Sequence, residues 1–552
     1  MFQSAFKPVA LALLLLLQIS VGKAQHSLSI PPEKPKLIVQ IVVSQMRFDY
    51  LQRYESKFTY DGFRMIASEG AFCKNARYNY LLTQAYPGLA TISTGSNPST
   101  HGIVSDKWIS KLTNEEIKAV ADDKVETVGG SFFSGKYSPK NLITSTLGDE
   151  IRISNPRSKV VGIAMDPGSA ILSTGHNANS VYWFDTERGF WVSSSHFLKA
   201  APAWVDTFNT KGFAQVYAER EWNALNPISQ YEEADTATVK NEESKKRIAQ
   251  KLRQMISGII QGKKSKTDFV SLTQNPFGNL LTKDFAIAAI LGEELGKDDN
   301  TDLLTVTFSP TRNISQKYGP HSIEIEDTYL KLDKEIAHFL QFINATVGKE
   351  NVLVVLTSDQ GVASTPDHME KSKIPGGYFD PNKAMMLLSS YLNITYGTGK
   401  WVVAFHEKQI YLNHRLIEDS NLQLAEVQQR IANFMIQFTG VANVSTGQVL
   451  QTSNFTSGIL QKFQNSYNPR RSGDIIINLE PGWVEKNGTV TSANSPYSYD
   501  AHVPLIWYGW KIKRKAILNP VSMTDIAPTI STLIGITWPN GATGTPIREI
   551  IE

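Results

Sequence analysis

Cysteine is all but missing from this chain. Cys73 is the single one in 552 residues, so no disulfide within the chain can brace the fold. The structure must rest on its apolar core, for which a chain of this length has ample volume. Cys73 itself is expected to pack as a small hydrophobe rather than act as a nucleophile. An excess of one charge sign is missing as well. Lys and Arg number 55 against 52 Asp and Glu, a formal net charge of +3, which offers no electrostatic footprint for nucleic acid. Beyond the first residues there is no long apolar run. None approaches the roughly 18 consecutive apolar residues that suggest a membrane span, so any membrane association is expected to be indirect, through a partner.

The one long apolar run stands at the start. Lys7 precedes Val9 to Leu17, and Gly22-Lys23-Ala24 places small residues where a signal peptidase reads. Residues 1–24 are therefore expected to be a secretory signal peptide, and 25–552 the exported chain. No cysteine adjoins the cleavage point, which excludes lipidation there.

What the rest contains is a series of short apolar segments. Leu37 to Val43 is continuous apart from Gln40, as a strand covered on both faces should be. Val160 to Ala164, Leu303 to Phe308 and Val352 to Thr357 are similar, and Ile475 to Leu479 and Val503 to Trp507 are further strand candidates. Ile323 to Leu340 has helical spacing, and Asn382 to Leu392 reads as a shorter packed turn or strand. The alternation predicts an α/β fold, a sandwich around a largely parallel central sheet, with a ligand site at the carboxyl ends of the strands. Two regions break the pattern and are expected to be accessory or cap insertions. One lies at about 200–300, with a charged stretch Glu232 to Ile256 and a basic loop Lys263-Lys264-Ser265-Lys266; the other lies at about 365–470. No repeat divides the chain, which favours one large domain with insertions.

Several segments, taken in order, carry a resemblance. They are Ile41-Val42-Val43-Ser44-Gln45-Met46-Arg47-Phe48-Asp49-Tyr50, Pro87-Gly88 with Thr94-Gly95, and Pro98-Ser99-Thr100-His101-Gly102-Ile103. Gly175-His176-Asn177 with Tyr182-Trp183-Phe184-Asp185, Thr357-Ser358-Asp359-Gln360-Gly361, Tyr499-Asp500-Ala501-His502-Val503-Pro504 and Met523-Thr524-Asp525-Ile526-Ala527-Pro528-Thr529 follow. Together they resemble the alkaline phosphatase superfamily, and within it the PafA-type periplasmic phosphatases and phosphodiesterases of Bacteroidetes. The resemblance covers nearly all of the exported chain. It implies an alkaline-phosphatase-like three-layer sandwich, two zinc ions that bridge the phosphate, and a Thr or Ser nucleophile at a helix N-terminus, where free N–H groups help to hold phosphate. The metals would activate the nucleophile and stabilise the leaving oxygen.

Carried across residue by residue, the resemblance places Ser44 at the first-strand aspartate and Ala90 at the nucleophile, with Thr91 beside it. Asp106 stands at a phosphate-side asparagine, and Asp166 and Gly168 at a phosphate-contacting Lys and Arg. Arg312 and Gln316 stand at an aspartate and histidine pair, Asp359 and Gln360 at an adjacent Asp-His pair, and Ala493 or its neighbour Asn494 at the last histidine. Arginine cannot ligate zinc and a neutral hydroxyl does so poorly. Of six ligand positions only Asp359 keeps its type, so no catalytic residue, metal or other cofactor is expected at these positions. Arg312 is expected to pair with Asp359 in the vacated site. His101, His176 and His502, with Asp49 and Asp500, are expected to brace the scaffold, and His321 has no evident company. These readings predict a catalytically inactive phosphatase-like scaffold or binding protein of the cell envelope, with a protein partner in a periplasmic or outer-membrane assembly. The alternative is a metal-dependent phosphomonoesterase or phosphodiesterase with a relocated active site.

Overall fold

A computed structural model describes residues 32–231 and 267–552. The expected signal peptide, the charged stretch Glu232 to Ile256 and the basic loop 263–266 lie outside the described residues.

Five contiguous parallel strands form the centre of a ten-stranded sheet. Across the sheet they run Ser180–Asp185, Val160–Ala164, Asp302–Phe308, Leu37–Val43 and Val352–Thr357. Antiparallel strands flank them, Leu505–Gly509 on one side and Phe190–Ser194 on the other. All seven residues of Leu37–Val43 are buried. Its odd-numbered apolar residues enter one core, with Leu281 and Phe285 of helix Phe277–Gly292 and Ile336 and Phe339 of helix Ile323–Thr346. Ile38 and Val42 enter a second core, with residues of helices Ala85–Thr94, Pro167–Thr174 and Ile526–Leu533. That period of two, with helices packed on both faces, makes the three-layer sandwich.

Helix Ile323–Thr346 also secures the segment after the first strand. Asp333 is 0 % exposed. It accepts hydrogen bonds from the Thr59 N–H and hydroxyl, both at 2.6 Å, and from the Phe63 N–H at 2.7 Å. Gly62 lies inside this turn, where a Cβ would fall 2.0 Å from Asp333 Oδ1.

Two expectations change. Asn382 to Leu392 is neither turn nor strand but part of a helix, Pro381–Tyr396. Asp380 caps it by accepting from the N–H groups of Asn382 and Lys383, and Pro381 opens the first turn, a position that tolerates a missing N–H. Ile475–Leu479 is a strand, but of a separate four-stranded sheet, in the order Val402–His406, Gln409–Leu412, Ile475–Leu479, Val441–Thr446. This smaller sheet has its own core around Leu388, Leu392, Ile410, Ile431 and Ile477. Its first hairpin turns through Glu407 and Lys408, whose φ values of 49° and 63° are both left-handed, as a two-residue type I′ turn requires.

Candidate functional site

The carboxyl ends of the parallel strands approach the first hairpin turn of the smaller sheet, and a cavity of about 220 Å³ lies between them. Its wall draws on the strand ends (Gln45, Gln360), the start of helix Ala85–Thr94, helix Pro310–Tyr318 (Arg312, Gln316), the Glu407 turn and the segment Ser492 to Asn494. A position at the ends of parallel strands is where α/β folds bind ligands.

Asp359 ties the floor together. The Ser44 hydroxyl donates to its Oδ2 at 2.5 Å and the Gln45 N–H to its Oδ1 at 3.0 Å. Burial pushes its pKa up to about 6, although the charge of Arg312 and the Ser44 hydrogen bond pull the other way. Gly88 is what lets the helix approach this floor, since a Cβ there would lie 2.0 Å from the Asp359 carbonyl oxygen.

Arg312 does not pair with Asp359 as expected. Its Nη2 lies 3.4 Å from Asp166 Oδ2, and Asp359 acts on it only as a neighbouring charge. Burial opposes the guanidinium charge, but Asp166 and Asp359 outweigh it and hold the pKa above the usual value. Asp166 is itself fixed as the cap of helix Pro167–Thr174, accepting from the Ser169 N–H at 3.0 Å. Gly168, two residues on, faces the Tyr86 ring, which a Cβ would meet at 2.0 Å. A side chain at 168 would therefore have to displace that ring.

The nucleophile assignment needs correction. Ala90 is 0 % exposed in the second core, well inside helix Ala85–Thr94. The residue at the helix N-terminus is Ala85, which lines the cavity beside Tyr86. Gln84 precedes it in extended conformation and makes no side-chain cap, so the N–H groups of Ala85 and Tyr86, the two first-turn residues on the cavity wall, are left without one. Thr91 does not replace a nucleophile either. It is buried, and its hydroxyl lies 3.4 Å from the Tyr80 hydroxyl and 3.3 Å from His101 Nε2.

Among the other assigned positions, Asp106, Arg312, Gln316, Gln360 and Ala493 reach the cavity wall, while Ser44 and Asp359 lie in its floor. Asp106 stands at the mouth, its side chain 57 % exposed, with Oδ1 at 2.9 Å from His406 Nε2. Ser105 Oγ lies 2.9 Å from the same oxygen and 3.1 Å from the same nitrogen. Burial alone would raise the Asp106 pKa, but the His406 hydrogen bond and charge bring it below the ordinary value. On His406 the balance is reversed in sign: burial disfavours the imidazolium, Asp106 and Glu407 favour it, and its pKa is raised. Asn494 closes the far wall, its Nδ2 donating to Glu407 Oε2 at 2.7 Å. Lys408 is buried behind it, and Nζ donates to the Asn494 carbonyl at 2.6 Å. Sequence reasoning missed Ala85, Gln45, His406 and Glu407. Two of the expected bracing residues make scaffold contacts: the His101 ring nitrogen accepts from the Ile103 N–H at 3.1 Å, and His502 stacks on Phe48. His321 does have company, stacked on His368 with centroids 3.8 Å apart and bonded to Ser364 at 3.0 Å.

A pair of zinc ions does not fit these residues. Both oxygens of the one carboxylate at the ligand positions are engaged within the protein, and the other five positions carry a hydroxyl, a guanidinium, two amides and a methyl. No three His, Cys, Asp or Glu side chains gather closely enough to hold a metal ion among the described residues.

The buried carboxyls have a consequence for stability. Burial also lifts the Asp500 pKa to about 7, against the pull of its Ser495 hydrogen bond. A folded-state value above the unfolded one means that the native state binds the extra proton. Stability is therefore fullest below about pH 4 for these groups and is lost as pH rises through about 6 for Asp359 and about 7 for Asp500. A tenfold difference in proton affinity between the folded and unfolded states corresponds to roughly 1.4 kcal/mol. Thermal midpoints measured from pH 5 to 8 should fall less steeply in Asp500→Asn than in the wild type.

Comparison with known proteins gives a consistent family likeness. The family described as type I phosphodiesterase / nucleotide pyrophosphatase matches residues 38–495. A protein of Myroides odoratus named calcium-transporting ATPase is 37 % identical over 525 residues, covering 94 % of this chain and 95 % of its own. Alkaline phosphatase PafA of Elizabethkingia meningoseptica is 36 % identical over 547 residues, covering 96 % of each. The crystal structure of wild-type alkaline phosphatase PafA superposes with a TM-score of 0.86 at 34 % identity, over 95 % of this chain and 100 % of that one. PafA has also been solved as a variant with a threonine, an asparagine, a lysine and an arginine substituted. Near full-length similarity to a named phosphatase points to an enzyme and overturns the expectation of a catalytically inactive scaffold.

Proposed function

The chain belongs to the type I phosphodiesterase / nucleotide pyrophosphatase family, within the alkaline phosphatase superfamily, and on that footing we propose that it is a phosphate-ester hydrolase whose chemistry has moved onto a remodelled site in the strand-end cavity. The observation that carries the reading is the placement of Arg312 and the uncapped start of helix Ala85–Thr94 on one cavity. A guanidinium supplies charge and fixed donors to a phosphoryl group, and a helix N-terminus supplies N–H groups and a favourable dipole.

In the substituted PafA the threonine and asparagine stand twenty-one residues apart and the lysine and arginine two apart. Ala85 and Asp106 have the first separation, and Asp166 and Gly168 the second. We therefore place Ala85 at the nucleophile position, where a methyl group leaves the attack to water. Asp106, ionised and held by His406, is placed to take the proton of that water. The water oxygen bonds to phosphorus, the ester P–O bond breaks, and the departing oxygen takes a proton from solvent. Arg312 and the helix N–H groups orient the phosphoryl oxygens throughout. The apolar run Val9 to Leu17 supports export as the setting of this activity.

The test is turnover of p-nitrophenyl phosphate and bis(p-nitrophenyl) phosphate by the purified chain, with and without added zinc. Asp106→Asn should reduce turnover of the preferred ester by about 10²-fold or more, the usual range for loss of a general base. Absence of turnover of both esters under both conditions would remove the reading.

A further inference from the structure

The same cavity holds polar groups that a phosphoryl group alone would not use. Six buried atoms on five lining residues have no hydrogen-bond partner among the described residues: Gln45 Oε1 and Nε2, Gln84 Nε2, Gln360 Oε1, Ser492 Oγ and Asn494 Oδ1. Three of these side chains are nearly inaccessible, Gln45 at 1 % and Gln360 and Asn494 at 3 %. A buried donor or acceptor without a partner is unfavourable, and native proteins leave few of them. Others are scattered through the described residues, but six fall on the walls of this one cavity. Gln45 and Asn494 also take left-handed backbone conformations, with φ of 58° and 92°, uncommon for residues with side chains.

We propose that this cavity recognises the phosphate ester of a small polyhydroxylated alcohol, a monosaccharide phosphate, with Arg312 and the helix N–H groups on the phosphoryl end and the unpaired amides on the hydroxyl end. This rests on the phosphate-ester reading of the site and names its substrate class. A primary amide offers both donors and acceptors, and a sugar hydroxyl both donates and accepts. Gln45 presents both ends of its amide unspent; Gln84 adds a donor, and Gln360 and Asn494 add acceptors. A bare phosphate, which is acceptor-rich, would leave the Gln360 and Asn494 oxygens unanswered. A nucleotide is disfavoured because the lining carries a single aromatic ring, Tyr86, and that ring is packed over Gly168. The volume agrees: about 220 Å³ lies below the roughly 300–1,000 Å³ usual for drug-sized ligands.

Calorimetric titration of the full exported chain separates the possibilities. The probes are the non-hydrolysable phosphonate analogue of glucose 6-phosphate and methylphosphonate, the same anion without the sugar. The sugar phosphonate should bind at least tenfold more tightly. Gln360→Leu, and Gln45→Gly, which suits the left-handed backbone, should each bring that ratio below threefold while methylphosphonate affinity stays unchanged. Equal affinity for the two phosphonates in the wild type would assign the amides to ordered water and overturn the sugar proposal alone. Failure of both to bind would remove the phosphate-ester reading together with it.

Discussion

Turnover of aryl phosphates falls about 10²–10³-fold when Arg312 is replaced by alanine, the scale seen when one oriented donor to developing charge is lost. Arg312 is the cation of the cavity wall, and Asp106, Asp166 and Asp359 surround it. Without it the charged groups left on the cavity wall are the carboxylates of Asp106 and Glu407, and a phosphate dianion meets repulsion where it met a guanidinium. Arg312→Lys should recover only a small part, because an ammonium lacks the planar fork that orients two phosphoryl oxygens. Asp166→Ser is the opposing control. It retains a residue able to cap helix Pro167–Thr174 and frees Arg312 from its ion pair, so inhibition by inorganic phosphate should tighten several-fold. Steady-state kinetics of the three variants, with inorganic phosphate as a competitive inhibitor, check the set. Unchanged kcat/KM in Arg312→Ala would remove Arg312 from the site.

Asp333→Ala carries the largest expected loss of stability, about 3–5 kcal/mol. The carboxylate accepts three hydrogen bonds at a fully buried position. Truncation leaves two N–H groups and a hydroxyl without that acceptor, each worth roughly 1–3 kcal/mol when stranded. The Gly62 backbone packs against the same carboxylate, so the turn loses a contact surface as well. Urea unfolding followed by tryptophan fluorescence would show a lowered midpoint with little change in slope. Asp333→Asn should lie between the two, since an amide retains one accepting oxygen. A stability within about 0.5 kcal/mol of wild type for the alanine variant, the scatter of ordinary surface substitutions, would mean that the turn finds other partners.

The central sheet is legible in the sequence because its strands are buried on both faces. Runs such as Leu37 to Val43 and Val352 to Thr357 have no polar alternation to confuse with helix. Helix Pro381–Tyr396 escapes the reading although its signals are present: an Asp-Pro start, and Ala384, Leu388 and Leu392 at intervals of four on the buried face. The site is legible only in outline. Spacing from Pro87-Gly88 on one side and Thr94-Gly95 on the other puts the nucleophile position on Ala90, although Pro87 also marks a first helical turn, where its missing N–H does no harm. Read from that proline, Ala85 is the residue at the helix start. Other relations cannot be read along the chain. Asp106 and His406 are 300 residues apart, and Tyr86 over Gly168 is a fact of packing. Judging activity from the ligand tally also assumes that chemistry can reside only at the inherited positions.

The two-residue turn at Glu407 and Lys408 gives the molecule an exchangeable part. It hangs from a sheet that has a core of its own and sends Tyr411 into the second core of the main sandwich, and its tip forms part of the cavity wall. Substitution of Glu407 at the tip can therefore alter what the cavity accepts, while Lys408, buried against the Asn494 carbonyl, holds the turn in place. Diversification within such a scaffold would concentrate there, and a hairpin library of constant loop length is the natural starting point for redirecting selectivity.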